Sequence, residues 1–130
     1  MTVDDVTGLR RDLGTAVRGR VHLPGDDTWD DARPAWNLAI DQRPSAVVEV
    51  ADADDVVAAV RFAKRAGLPV VAQSLGHAAT SDGVTDALLL RMHALDAVEV
   101  DVDRRIARVG GGALWQAVLD RLDGTGLLAL

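Results

Sequence analysis

The sequence predicts an α+β domain: a small mixed β-sheet with flanking helices. Three observations predict it. Ala46–Val50, the amphipathic stretch opened by Asp52–Asp55, and Leu68–Ala72 read as strand, helix and strand. Val98–Val102 alternates apolar and polar residues, Asp103-Arg104-Arg105 turns the chain, and Ile106–Val109 returns, which is a hairpin. Leu114, Ala117, Val118 and Leu122 then recur at helical spacing within 113–122. At 130 residues the chain holds one domain at most and is long enough to bury a core.

Each element has a local reason. Val3–Leu13 reads as a helix capped by Thr2, with Asp4 and Asp5 in its first turn and Val6, Leu9 and Leu13 facing the core. Gly14 and Gly19 bracket a loop, and Gly19–Leu23 is a brief strand ended by the turn Pro24-Gly25-Asp26-Asp27. Thr28–Arg33 makes one or two helical turns, which Pro34 stops. In the helix after Asp52, the apolar face is Val56, Val57, Val60, Phe62, Ala63 and Ala66. Asp52 or Asp54 caps it, Arg61, Lys64 and Arg65 complement its C-terminal end, and Gly67 closes it. A parallel strand–helix–strand unit takes a right-handed crossover. Ala87–Leu90 is a fully apolar strand, and Met92–Leu95 links it to the hairpin.

The stretch from Val70 to Ala79 carries the functional signal. Val70, Val71 and Ala72 form a buried strand after the turn at Gly67-Leu68-Pro69, and the chain then breaks into small and polar residues. A strand-to-loop exit leaves consecutive N–H groups without ladder partners, and such groups form an anion-binding concavity. Gly76 lets a ligand approach the backbone, and His77 stands at the lip with a nucleophilic nitrogen. The same residues also read as a plain turn with a solvated or core histidine.

Composition narrows the partners. Fourteen basic against 20 acidic residues give a net charge of −6, with Lys64 the single lysine, which argues against nucleic acid or an anionic membrane. Without cysteine there is no disulfide, thiolate metal site or cysteine nucleophile. No apolar run reaches the roughly 20 residues that span a bilayer, and Met1–Asp5 lacks a secretory apolar region, so a cytoplasmic protein is expected. Gly126–Leu130 reads as the start of another buried strand, one that more chain or a partner should cover.

The other chemistry-bearing residues have structural readings. His22 and His93 are placed as structural histidines, too far apart in sequence with His77 to suggest zinc. Trp29, Trp36 and Trp115 read as core or interface anchors. Asp52–Asp55 is a helix-start charge feature rather than a metal site, and Asp101 and Asp103 are hairpin-turn acids. Gly110–Gly112 follows a hairpin and lacks dinucleotide-fold spacing, so it also reads as a helix-entry turn.

Five pieces in order carry a resemblance: Gly19-Arg20-Val21 with Pro24-Gly25-Asp26 and Trp36-Asn37; Arg43–Val48; Asp52–Val56 with Val60–Ala63; Gly76-His77; and Ala107–Trp115. Together the chain resembles the N-terminal part of the FAD-binding domain of the p-cresol-methylhydroxylase/vanillyl-alcohol-oxidase superfamily (the PCMH type). Within it, the chain is most similar to the berberine-bridge-enzyme-like FAD-linked oxidoreductases. The resemblance implies that residues 1–130 are the first half of that domain. The rest of it, the substrate domain and the catalytic base would lie after Leu130.

It further implies that Gln73, Ser74, Leu75, Gly76, His77 and Ala78 cradle the FAD pyrophosphate, and that His77 carries an 8α-histidyl bond to the flavin. Gly110, Gly111 and Gly112 would let a second backbone segment pass close to the cofactor. The family's usual loop is an Arg, three glycines and the histidine. Here Gln73, Ser74 and Leu75 stand for the Arg and the first two glycines, and Ala78 for a common Ser. A second, cysteinyl flavin bond would need a Cys from outside this chain. The implied reaction is hydride transfer from a small organic substrate, such as a sugar or secondary metabolite, to flavin N5, with reoxidation by O₂. The alternatives are a non-catalytic flavin- or drug-binding resistance protein and an inactive truncated association module.

Overall fold

The computed structural model describes residues 3–129. Helix α1 spans Val3–Ala16, longer than the spacing predicts, because Leu13 and Val17 both turn into the core and Gly14 is carried along inside the helix. Thr2, its expected cap, the side chain of Val6, and Leu130 lie outside the described residues. Strand β1 (Arg20–His22), the short helix α2 (Trp29–Ala32) and strand β2 (Ala46–Glu49) follow. Next come helix α3 (Ala53–Ala66), strands β3 (Val70–Gln73) and β4 (Leu88–Arg91), the hairpin β5 (Val98–Asp101) and β6 (Ile106–Val109), and helix α4 (Trp115–Leu122). The predicted α+β class with a mixed sheet is what the chain adopts.

The main sheet has the order β1-β2-β4-β3, with β1 antiparallel to β2 and the other neighbours parallel. The central strands are apolar on both faces. Ala46, Val48, Leu88 and Leu90 pack with Leu13, Val17, Ala59, Phe62 and Ala63 on one side; Val47 and Leu89 pack with Ala32 on the other. Burial on both faces is why β2 and β4 read as continuous rather than alternating apolar runs. Truncating a fully buried leucine here, such as Leu89→Ala, costs roughly 2–5 kcal/mol. A second, smaller cluster joins Val98 on the hairpin to Val118 and Leu122 on α4.

Helix α3 starts as predicted, with the Asp52 side chain accepting from the N–H groups of Asp54 and Asp55, and ends at Gly67 with φ 68°. Its inner face is different. Asp55, Ala59, Phe62 and Ala63 are buried, whereas Val57, Val60 and Ala66 are exposed. The rotation has a cause: the Asp55 carboxylate accepts the backbone N–H groups of Arg18 (2.8 Å), Gly19 (2.8 Å) and Ala51 (2.9 Å), so a charged residue claims the core side. Burial pushes this carboxyl's pKa up, but the three N–H donors and the Arg18 charge outweigh it and hold it below the ordinary value.

Other expectations need correction. Strand β3 is not buried: it pairs with β4 alone among the described residues, Val70 is 37% exposed and Ala72 is exposed. Residues 127–129 form no strand. Gly126 (φ 73°) turns the chain, Leu127 and Ala129 lean on the small cluster, and Leu128 is exposed. Leu114 precedes α4 and is exposed. Of the tryptophans, Trp29 packs on the Val47–Leu89 side, while Trp36 and Trp115 stand outside the core. Among the described residues no helix is long and apolar enough to cross a membrane.

Candidate functional site

The site grows from the C-terminal end of β3. The last ladder contact is the Met92 N–H donating to the Gln73 carbonyl at 3.0 Å. Beyond it the N–H groups of Ser74, Leu75, Gly76, His77 and Ala78 have no acceptor among the described residues. Ala79 closes the turn by donating to the Gly76 carbonyl at 3.2 Å.

Two features shape this loop. Gly76 has φ 79°, and a Cβ on it would stand 2.8 Å from the Gln73 side-chain amide and 3.1 Å from the Ala35 Cβ. Any other residue would therefore be strained and crowded there. Gln73 itself is buried. Its Nε2 donates to Gln42 Oε1 at 3.2 Å, and Gln42 Nε2 donates to Gln73 Oε1 and the Thr80 carbonyl, each at 3.1 Å. A fully buried Gln42 thus locks the strand end to the far side of the loop.

The loop borders a cleft of about 370 Å³ whose lining includes Gln73, Ser74, Gly76, His77, Ala78 and Asp82 but no Lys or Arg. Anion affinity here would come from backbone dipoles rather than from cationic side chains. Leu75 does not line the cleft; its carbonyl accepts the Trp36 N–H at 2.8 Å. The His77 side chain is exposed, and its ring lies 4.7 Å from the Trp36 ring at an interplanar angle of 35°.

Gly110, Gly111 and Gly112 do not line this cleft. The Gly110 N–H donates to Ala97 O (2.8 Å) and the Gly112 N–H to Leu95 O (2.9 Å). A Cβ on Gly110 would stand 2.0 Å from Leu95 O, and one on Gly112 would stand 1.9 Å from Met92 O. These glycines let the chain after β6 lie against its own Met92–Ala97 segment, and that is the close approach the structure shows.

His22 is buried, with Nδ1 2.8 Å from Thr28 Oγ1; its Nε2 has no hydrogen-bond partner among the described residues and lies 3.7 Å from Glu49 Oε2. His93 lies between β4 and β5, where it was placed, and is exposed. Asp101 accepts from the Arg104 N–H at 2.9 Å, as a hairpin-turn acid does. No group of three or more His, Cys, Asp or Glu among the described residues could hold a metal. Sequence reasoning missed Gln42 and the Trp36–His77 stack. A polar Gln42 just before Arg43-Pro44 carries no periodic signal, and Trp36 was legible as an anchor and as part of a resemblance but not as a neighbour of His77.

A family model described as FAD binding domain matches residues 44–129. An FAD-linked oxidoreductase of Aspergillus fumigatus is 32% identical over 106 residues, covering 80% of this chain and 23% of that protein. (R)-6-hydroxynicotine oxidase of Paenarthrobacter nicotinovorans is 31% identical over 103 residues, covering 76% and 22%. A solved structure of glucooligosaccharide oxidase from Acremonium strictum, described with a 6-S-cysteinyl, 8α-N1-histidyl FAD, has a TM-score of 0.72 at 30% identity. It covers 88% of this chain and 25% of that one. The chain spans about a quarter of the length of these relatives.

Proposed function

The chain belongs to the FAD binding domain family, and from that premise we propose that it is the cofactor-gripping part of an FAD-linked oxidoreductase. Its substrate is a small organic molecule, such as a sugar or a secondary metabolite. One observation carries the reading: five consecutive N–H groups, Ser74 to Ala78, have no acceptor among the described residues and stand at a strand end beside an exposed histidine. A pyrophosphate offers the acceptors that such a run lacks. Gly76 keeps the backbone bare where the anion would approach, and the Gln42–Gln73 pair keeps the strand end from collapsing into the cleft. When bound, FAD supplies hydride acceptance at flavin N5; the protein supplies grip, orientation and exclusion of water.

His77 is the attachment residue in this reading, through a ring nitrogen bonded to the flavin 8α carbon. Its exposure and its place next to the free amides support that role. The Acremonium relative's histidyl flavin supports it by likeness. The absence of cysteine from this chain leaves His77 without a cysteinyl companion here.

The test uses the full-length protein. After acid precipitation and gel electrophoresis, wild type should keep yellow colour and flavin fluorescence, and His77→Ala should lose both. Colour that washes out of wild type on denaturation would end the attachment reading while leaving FAD binding intact. Release of H₂O₂ with substrate turnover separates an oxidase from a protein that only sequesters a small molecule.

A further inference from the structure

We propose that Trp36 is a positioning residue for His77, holding the imidazole in the orientation from which its nitrogen bonds to the flavin. The proposal rests on the attachment reading of His77. Trp36 is 65% exposed, unusual for the largest apolar side chain, and the ring it meets is His77, at 4.7 Å and 35°. Neither ring belongs to a core cluster, so the fold's packing does not explain their meeting.

Three successive loop residues are touched from the same segment. The Trp36 N–H donates to the Leu75 carbonyl at 2.8 Å, the Ala35 Cβ borders the space over Gly76, and the Trp36 ring covers His77. That segment is itself held. Pro34 restricts the backbone, and the Arg33 Nη1 donates to the Gln42 carbonyl at 3.0 Å while pairing with Asp30 and Asp41. Gln42 then closes the circuit to Gln73. A solvated histidine on a loop samples several rotamers; a stacked one samples fewer.

The step it serves balances as follows. The His77 N–H proton and one C–H proton of the flavin 8α-methyl are lost, and the N–C bond forms. The electron pair is left on the flavin ring and passes to O₂ as H₂O₂. Trp36 takes no part in that exchange; it sets the direction of the nitrogen lone pair.

Two measurements on the full-length protein test this. In flavin-free protein carrying labelled histidine, the His77 ring protons should be shifted upfield by the indole, and Trp36→Ala should abolish that shift. In apoprotein reconstituted with FAD, Trp36→Ala should bind flavin but gain acid-stable flavin roughly three- to tenfold more slowly, the range expected for a lost aromatic pair. Trp36→Phe should restore most of the rate. Unchanged His77 resonances in Trp36→Ala, or equal attachment rates in the two proteins, would overturn the proposal and leave the His77 reading standing. Absence of acid-stable flavin in the wild type would overturn both.

Discussion

Two glycine-bearing loops in this chain follow β-strands and read alike in one dimension, yet they use glycine for opposite ends. At Gly76 the missing Cβ keeps a turn open, and the N–H groups around it meet no acceptor among the described residues. At Gly110 and Gly112 the missing Cβ lets two backbone segments touch, and the N–H groups are taken up by Ala97 and Leu95. A run of glycines therefore marks close approach without saying to what. Only the state of the amides separates an open loop from a seam.

The largest expected effect falls on the seam. Gly112→Ala drives a Cβ to 1.9 Å from the Met92 carbonyl, which backbone cannot relieve, and should lower unfolding stability by about 3 kcal/mol or more in a denaturant titration. Next comes the brace beneath the Ser74–Ala78 loop. Gln42→Leu leaves the buried Gln73 amide unpaired and should cost about 2 kcal/mol, with weakened FAD binding by flavin-fluorescence titration. Gly76→Ala should cost less stability, about 1–2 kcal/mol for a non-glycine residue held at φ 79°, yet lose more flavin than Gln42→Leu does. A Gly76→Ala protein that binds FAD normally would break the distinction between the two loops.

A smaller effect is expected from acid. The folded Asp55 carboxyl has a pKa below its unfolded value of about 3.9. The unfolded chain then binds more protons, so the stabilisation is complete above that value and is lost as pH falls through the lower folded one. The carboxylate ties Arg18, Gly19 and Ala51 in the main-sheet body, and among the described residues no such acid holds the Gly110–Gly112 seam. Melting temperature against pH should show this acid loss, and Asp55→Asn should flatten it. The smallest effect belongs to Gly111→Ala, whose Cβ would sit an ordinary 3.7 Å from Met92 Cε. Stability should change by less than about 0.5 kcal/mol; FAD affinity should stay unchanged if the triplet serves only the seam, and a lost flavin there would show that it also meets the cofactor.

Much of the fold was legible from short-range chemistry. Asp52 caps α3 and Gly67 ends it, because those bonds join residues a few positions apart. The doubly apolar runs of β2 and β4, the alternation of β5 and the turn acid Asp101 were readable for the same reason. The loop at Ser74–Ala78 was found from residue types that cannot continue a ladder. Tertiary structure decided the rest. It turned α3 onto Asp55, because that carboxylate's partners lie 36 and 37 residues away for Gly19 and Arg18. It paired Gln42 with Gln73 across 31 residues, set Trp36 against His77, and gave the glycine triplet to Met92–Ala97. A residue's own neighbours determine which backbone states it prefers. What stands opposite a buried amide, a carboxylate or a bare Cα depends on how distant segments pack, and no local pattern encodes that.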